Sequence, residues 1–383
     1  MLLREALRET HATLCQDCGK CTGVCPVSRY DEDFSPRMVV THAVHAPTGQ
    51  TPAKFNLCLT CKLCSLVCPS DVDYSQFTRK GREVLREDGA DPACSHGAVF
   101  QHMMRIMSQN GREQNRLAWV PEEAKTQTQG ELLYFTGCLP YYDSYYTHLG
   151  TDTQRIGKDT LRVLNALGEE PVLLPDELCC GHDLYWSGDE EAATKLAKKN
   201  VAKIAASGAK TVVSSCPECV FMLREAYPKL AGEAPYEALH LSEYLARKRE
   251  EGAVELAGLE GDVTFQDPCR LSRHLDETEA PRAALNEIFG ESFHEMEHHG
   301  KDSVCCGTSG WMHCNAVSKR IQTERLREAA DSGAETLVTA CPKCQIHLRC
   351  AQASEKDDRL SSLRIRDFAT VVAESIDGGN GSW

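Results

Sequence analysis

Twenty-one cysteines, most of them repeating at short fixed spacings, restrict this chain more than any other feature of its sequence. The N-terminus, MLLREALRETHATLCQ, lacks the continuous apolar region of a secretory signal. No uninterrupted apolar run approaches the roughly 18 to 20 residues needed to cross a bilayer. These features predict a cytoplasmic protein, peripheral to a membrane only through a partner. In a reducing compartment, regularly spaced thiols predict metal binding rather than disulfides. The 383 residues carry 42 Lys and Arg against 56 Asp and Glu, a formal charge of -14. That balance, without any Lys/Arg-rich tract, argues against nucleic-acid binding. The length predicts two or three domains.

Cys15-x2-Cys18-x2-Cys21-x3-Cys25-Pro26 and Cys58-x2-Cys61-x2-Cys64-x3-Cys68-Pro69 repeat one pattern, the spacing of bacterial two-cluster ferredoxins. Three thiolates at i, i+3 and i+6 wrap one four-iron four-sulfur cubane, while the fourth, past a turn fixed by proline, points toward the other cluster. The crossed pattern assigns Cys15, Cys18, Cys21 and Cys68 to one cubane and Cys58, Cys61, Cys64 and Cys25 to the second. Zinc also takes C-x2-C pairs, but it joins two separated pairs and asks for neither a third cysteine two residues on nor a proline-tagged fourth. Gly19 suits a close backbone approach beside the tight loop.

Between the runs, Ser35-Pro36-Arg37-Met38-Val39-Val40 reads as a short proline-started helix, and Gln76 to Glu87 reads as another. An all-α ferredoxin-like domain is therefore predicted over residues 1–95. Residues 96–130 read as a linker, polar and mixed in character, with a Gln-rich end, Thr126-Gln-Thr-Gln-Gly130, that shows no core-forming pattern. Cys94 reads as an isolated thiol outside the ligand sets.

The rest of the chain is duplicated. Ser207 to Cys219, SGAKTVVSSCPEC, matches Ser332 to Cys344, SGAETLVTACPKC, at an offset of 125 residues. Each copy also holds an adjacent pair followed by glycine, Cys179-Cys180-Gly181 or Cys305-Cys306-Gly307, and an earlier single cysteine, Cys138 or Cys269. Leu132 to Phe135 and Val263 to Phe265 read as buried strands leading to the single cysteines, and Val212-Val213 and Leu337-Val338 do the same before the C-P-x-C turns. A helix over Asp189 to Ala206 gathers Ala193, Leu196, Ala197, Val201, Ile204 and Ala205 on one face and stops at Gly208.

Each repeat is thus an α/β unit that delivers thiolates at strand C-termini, over residues 131–235 and 262–383. Residues 236–261 read as a charged connecting helix with a solvated surface. The predicted fold class is α+β multidomain: an N-terminal all-α ferredoxin-like two-cluster domain followed by two duplicated α/β domains. Five thiolates per repeat exceed what a cubane needs. The adjacent pair suits a cluster of open or bridged shape, in which neighbouring thiolates serve different irons. A zinc site on four of the five, or a cubane with one spare cysteine, is equally compatible with the spacing.

Taken together, these sets resemble the CCG-domain iron–sulfur proteins, specifically the D-type polypeptide of heterodisulfide reductase, or its C-type and B-type polypeptides fused in that order. The resemblance covers residues 15 to 68, 138 to 219 and 269 to 344. It implies a non-cubane 4Fe-4S cluster in each repeat, on Cys138, Cys179, Cys180, Cys216 and Cys219, and on Cys269, Cys305, Cys306, Cys341 and Cys344. Asp267-Pro-Cys-Arg-Leu-Ser-Arg-His274 is similar to the family's D-P-C-H-L-G-R-H, with Arg270 in place of the first histidine, a departure that bears on substrate handling. The implied activity is two-electron reduction of a disulfide at the ten repeat cysteines, with electrons arriving singly through the cubanes. The alternative is an electron-transfer subunit of a larger flavin-, quinone- or acyl-CoA/2-hydroxy-acid-linked oxidoreductase, without disulfide chemistry of its own.

The chain has neither a G-x-G-x-x-G fingerprint nor a Walker A loop, so flavin and nicotinamide are expected on other subunits. The expected partners are a flavin, hydrogenase or membrane quinone/cytochrome module and a disulfide or thiol substrate. His182 and His313 are candidate proton donors to a departing thiolate. His294, His298 and His299, with Glu295 and Glu297, read as an exposed loop, and Cys314 and Cys350 as structural. Arg270, Arg273 and Lys343 would attract an anionic substrate or offset the charge of anionic clusters.

Overall fold

The computed structural model describes residues 3–45, 53–90, 92, 94–109 and 114–377. The chain divides into two compact units. The first comprises Met1–Ser108, Gly181–Ala193 and Val304–Gln322, and the second Gln109–Cys180, Thr194–Ser303 and Thr323–Trp383.

Among its described residues the first unit has helices, joined by loops, and no strand. Its longer helices are Leu3–Glu9, Pro36–His45, Tyr74–Glu87 and Val99–Ser108, in agreement with the all-α reading. Pro36 opens its helix where the missing N–H costs nothing, and Asp73 caps the next by accepting from Gln76 N at 3.1 Å. Phe55 packs edge-to-face on Phe77, with centroids 5.1 Å apart. The fully buried Arg82 donates to Phe55 O at 3.1 Å, to Trp186 O at 2.7 Å and to Cys58 O. Trp311 stacks on Phe100 at 4.6 Å, and Thr60 and Ser309 share a hydrogen bond of 2.9 Å. Residues directly after each cysteine pair are therefore integral to the helical unit.

The second unit holds two parallel sheets. Strands β1 (Leu132–Tyr134), β2 (Thr211–Ser214) and β3 (Glu237–His240) lie in the order β1-β2-β3, with Val172 bridging to Leu133. Strands β4 (Val263–Gln266), β5 (Phe293–His294), β6 (Thr336–Thr339) and β7 (Arg364–Asp367) lie in the order β5-β4-β6-β7. Parallel strands need crossover connections, and burial on both faces explains why β1 and β2 read as nearly unbroken apolar runs.

The helix Thr153–Ala166 packs on Phe368–Ile376, and Leu241–Glu250 packs on Glu279–Phe289. In both contacts a helix a short way beyond the single cysteine of one repeat meets the last helix of the other, the reciprocal pairing of a two-fold arrangement. One core, including Tyr134, Leu164, Phe265, Leu285 and Val371, serves both sheets.

Two stretches differ from the sequence reading. Residues 236–261 contribute β3, paired in parallel with β2, besides the helix. Ala238, Leu239, Leu241 and Leu245 are all buried, while an Arg247–Glu237 ion pair keeps the outer face solvated. Residues 96–130 include the helix Val99–Ser108 and Trp119, a member of the core of the second unit. The helix buries Phe100, Met104 and Met107 along one face, a period of only two turns within a polar stretch, whereas Trp119 is a single anchor with no period of its own.

Candidate metal centres

The two N-terminal cysteine loops follow the same backbone path. Asp17 and Gly19 have φ of 54° and 82°, and the equivalent Thr60 and Lys62 have 48° and 66°. Alternating right- and left-handed residues turn successive N–H groups into a concavity suited to anions, as at many iron–sulfur sites. Thr60 N donates to Cys58 Sγ at 3.2 Å. A Cβ on Gly19 would meet nothing within 4 Å, so Gly19 supplies left-handed backbone rather than close approach. Lys62 adopts that conformation with a side chain, at a cost of about 1 kcal/mol.

One cavity is lined by Cys25, Cys58, Cys61 and Cys64, with Pro26, Leu63 and Tyr74 beside them. The proline-tagged cysteine of the first run thus joins three from the second. Cys58 and Cys61 are buried, Cys18 is exposed, and Cys15, Cys21, Cys25, Cys64 and Cys68 are half-buried. Burial pushes Cys25 up to about 12, opposed by Ser28. It raises Cys64 well above the usual thiol range, with the neighbouring sulfurs of Cys58, Cys61 and Cys25 adding to the effect. Such thiols keep their protons until a cation replaces them. Four soft donors in an apolar cavity fit an iron–sulfur cluster.

In the first repeat the five cysteines are all buried and belong to one unit. Cys138 Sγ lies 3.0 Å from Cys179 Sγ. Cys180 is in hydrogen-bond reach of Cys179 and Cys219, and Cys216 of Cys219. Gly137 has φ 64°, and a Cβ there would come within 2.7 Å of Cys219 Sγ, so both conformation and space demand glycine. The neighbouring thiols set the proton distribution. Cys219, then Cys341, stabilises the Cys216 thiolate and holds it well below the usual range, while Cys180 and Cys219 are held well above it.

Polar residues absent from the sequence reading hold these loops. Asn200 donates from Nδ2 to Leu178 O at 3.1 Å, Cys179 O at 3.2 Å and Tyr227 Oη at 3.0 Å, and accepts from Leu178 N at 3.0 Å. Tyr227 Oη donates to Cys180 O at 3.0 Å. Glu177 accepts from Thr136 N at 3.0 Å and Gly137 N at 2.9 Å, and pairs with Arg116 at 2.7 Å. Asn200 carried a signal: it lies in the same helical stripe as Ala193, Leu196, Ala197 and Ile204, a polar residue on an apolar face.

Of the second five, Cys269, Cys341 and Cys344 lie in the second unit, whereas Cys305 and Cys306, both buried, lie in the first. The two C-P-x-C turns adjoin: Cys216 and Cys341 are in hydrogen-bond contact, and Lys343 Nζ pairs with Glu218 at 2.6 Å. Each contact joins equivalent positions of the duplicated motif, so the two-fold relation passes between them.

Arg273 donates to Lys301 O at 2.9 Å and Ser303 O at 2.7 Å. Arg270 lies 5.8 Å over the Phe221 ring and bonds His274 at 2.6 Å. Arg270, Arg273 and Lys343 are buried and engaged with protein groups, which fits charge compensation rather than capture of an anion from solvent.

His313 donates from Nε2 to Cys58 O at 3.2 Å. Burial, with Arg82 nearby, pulls it down to about 3, so it is neutral and has no surplus proton to give. His182 is buried against Asp183 at 2.9 Å. His294, His298 and His299 each take a different partner, Asp262, Glu328 and Met296 O, and form no joint site. Cys94 and Cys350 are half-buried and Cys314 is exposed.

A helical unit with two matched thiol loops, joined in one chain to duplicated sheets bearing cysteine pairs, defines an iron–sulfur electron-transfer protein. Residues 132–224 and 263–349 match the cysteine-rich domain family, CCG, and residues 14–73 match a 4Fe-4S dicluster domain. The chain belongs to the family of CCG-domain iron–sulfur oxidoreductase proteins that includes the D-type polypeptide of heterodisulfide reductase. It is 31% identical to that polypeptide of the dihydromethanophenazine:CoB–CoM heterodisulfide reductase of Methanosarcina acetivorans, over 83% of this chain and 77% of that protein. The B-type polypeptide of the fumarate reductase (CoM/CoB) of Methanothermobacter marburgensis is 26% identical over 88% of this chain and 67% of its own length. A probable glycolate oxidase iron–sulfur subunit of Bacillus subtilis is 24% identical over 97% and 96%. A hypothetical protein from Helicobacter pylori shares the fold, with a TM-score of 0.52 and 14% identity over 84% of this chain and 61% of that one. No helix among the described residues is long and apolar enough to cross a membrane.

Proposed function

We propose that this chain is the cluster-bearing subunit of a heterodisulfide-reductase-like complex. In this reading Cys15, Cys18, Cys21 and Cys68 hold one cubane and Cys58, Cys61, Cys64 and Cys25 the other. Cys138, Cys179, Cys180, Cys216 and Cys219 hold one non-cubane cluster, and Cys269, Cys305, Cys306, Cys341 and Cys344 the second. When bound, the cubanes supply electrons singly and the five-thiolate clusters supply the two that a disulfide requires. The donor and any flavin belong to other subunits.

The observation that carries this reading is the meeting of the two C-P-x-C turns through Cys216 and Cys341, which sets ligands of both repeats side by side. The protein's own part is to converge the thiols, exclude water and offset charge. Where the repeats meet, the Lys343 cation favours the Cys216 thiolate, while its partner Glu218 opposes charge on Cys341.

Anaerobically purified protein should contain about sixteen irons, four for each of four clusters, and should form thiols from a disulfide when supplied with a chemical reductant. Near eight irons would remove the repeat clusters from this reading while leaving the N-terminal pair. A second reading, electron transfer without disulfide chemistry, draws on Arg270 in place of the family's histidine and on the near full-length similarity to the glycolate oxidase subunit. Full iron with no thiol release would favour it.

A further inference from the structure

We infer that Arg116 and Glu177 are positioning residues for the first five-cysteine centre, clamping Thr136-Gly137 so that Cys138 meets Cys179 and setting opposed charges beside these sulfurs. The inference rests on the cluster reading above and deepens it.

Both side chains are buried, and the Arg116 guanidinium is fully enclosed. Arg116 Nη2 donates to Gly137 O, to Thr136 Oγ1 at 3.2 Å and to Glu177 Oε1 at 2.7 Å, while Nη1 donates to Tyr141 Oη at 3.3 Å. Glu177 in turn accepts from both amides of the Thr136-Gly137 pair. Gly137 is thus held at its carbonyl by the arginine and at its amide by the carboxylate, with its α-carbon against Cys219 Sγ. Glu177 stands two residues before Cys179, and Thr136 two before Cys138. The clamp therefore ties together two loops that are distant in sequence and must hold their sulfurs in one arrangement.

Arg116 interacts electrostatically with Cys138 and Cys179, and its Nε has no hydrogen-bond partner among the described residues. The second repeat meets the same demand with different residues. Asp267, two before Cys269, takes Arg282 at 2.7 Å and accepts from Gly300 N at 2.8 Å. A carboxylate–arginine pair at the single-cysteine loop thus occurs twice, built from non-equivalent positions.

The test measures iron content and cluster midpoint potentials of the whole anaerobic protein in Arg116→Met, Arg116→Lys and Glu177→Gln. Glu177→Gln keeps an acceptor for the Gly137 amide. It should retain wild-type iron and shift one cluster to higher potential by about tenfold in its reduction equilibrium, about 59 mV for one electron. Arg116→Met should shift the same cluster the opposite way or lose about four irons, and Arg116→Lys should recover part of either loss. Wild-type iron with potentials unmoved in Arg116→Met and Glu177→Gln would overturn the inference. Wild-type protein holding about eight irons would overturn the cluster reading, and this inference with it.

Discussion

Replacing Asn200 tests how the adjacent cysteine pair is held. Its side chain is fully buried and makes four hydrogen bonds, to Leu178 N, Leu178 O, Cys179 O and Tyr227 Oη. At about 1 kcal/mol net for each bond, Asn200→Ala should cost about 4 kcal/mol. The orphaned groups stay buried, so relaxation recovers little of this. Asn200→Asp preserves size but replaces the donor with a second acceptor facing Leu178 O and Cys179 O, and should cost more than alanine at neutral pH. The measurement is anaerobic denaturant unfolding of the whole protein, followed by backbone signal and cluster absorbance, where the midpoint should fall without a change in slope. In thermal unfolding of the whole chain the loss corresponds to a drop of about 5 °C. Iron should fall as well, because the loop carrying Cys179 and Cys180 loses its anchor. An Asn200→Ala protein within about 1 kcal/mol of wild type, with full iron, would refute this account of the loop.

Two further outcomes are expected. Arg82→Met should leave the carbonyls of Phe55, Cys58 and Trp186 without their donor, destabilise the helical unit by about 3 kcal/mol, and lower N-terminal cluster content while the repeat clusters keep their spectroscopic signature. His240 caps the helix Leu241–Glu250 through Nδ1, which accepts from Ser242 N at 3.2 Å. Burial lowers its affinity for protons against the opposing pull of Glu243 and Cys216. Its folded pKa lies below the unfolded value, so its contribution to stability is present above about pH 6.5 and is lost as pH falls through the folded pKa. The unfolding midpoint should therefore decline on acidification, by at most about 1.4 kcal/mol per pH unit for this one group. His240→Asn, a non-titrating cap, should flatten the decline, and an unchanged pH profile in that variant would count against the assignment.

The cysteine sets were legible because each is a local pattern. In C-x2-C-x2-C the chain itself fixes how far apart three sulfurs can lie, and the left-handed residues at Asp17, Gly19, Thr60 and Lys62 execute that loop twice. The short strands and the helix Glu190–Ala206 followed from runs and periods of apolar residues for the same reason. Residues 236–261 were harder to read because β3 is four residues long, and its place in the sheet comes from pairing with β2 rather than from its own pattern. Trp119 and Arg116 were invisible for a related reason: a single anchor in a polar stretch has no period.

Spacing by itself therefore determined which cysteines form the repeated sets, their duplication and the helical or α/β character of each region, since these depend on neighbours within a few residues. Only the tertiary structure decided that Cys25 lines a cavity with Cys58, Cys61 and Cys64, that Cys216 touches Cys341, and that Asn200, Glu177 and Arg116 hold the loops. Contacts between groups far apart along the chain are selected by packing and by the cost of leaving a buried polar group unsatisfied, and neither leaves a repeating mark in the sequence.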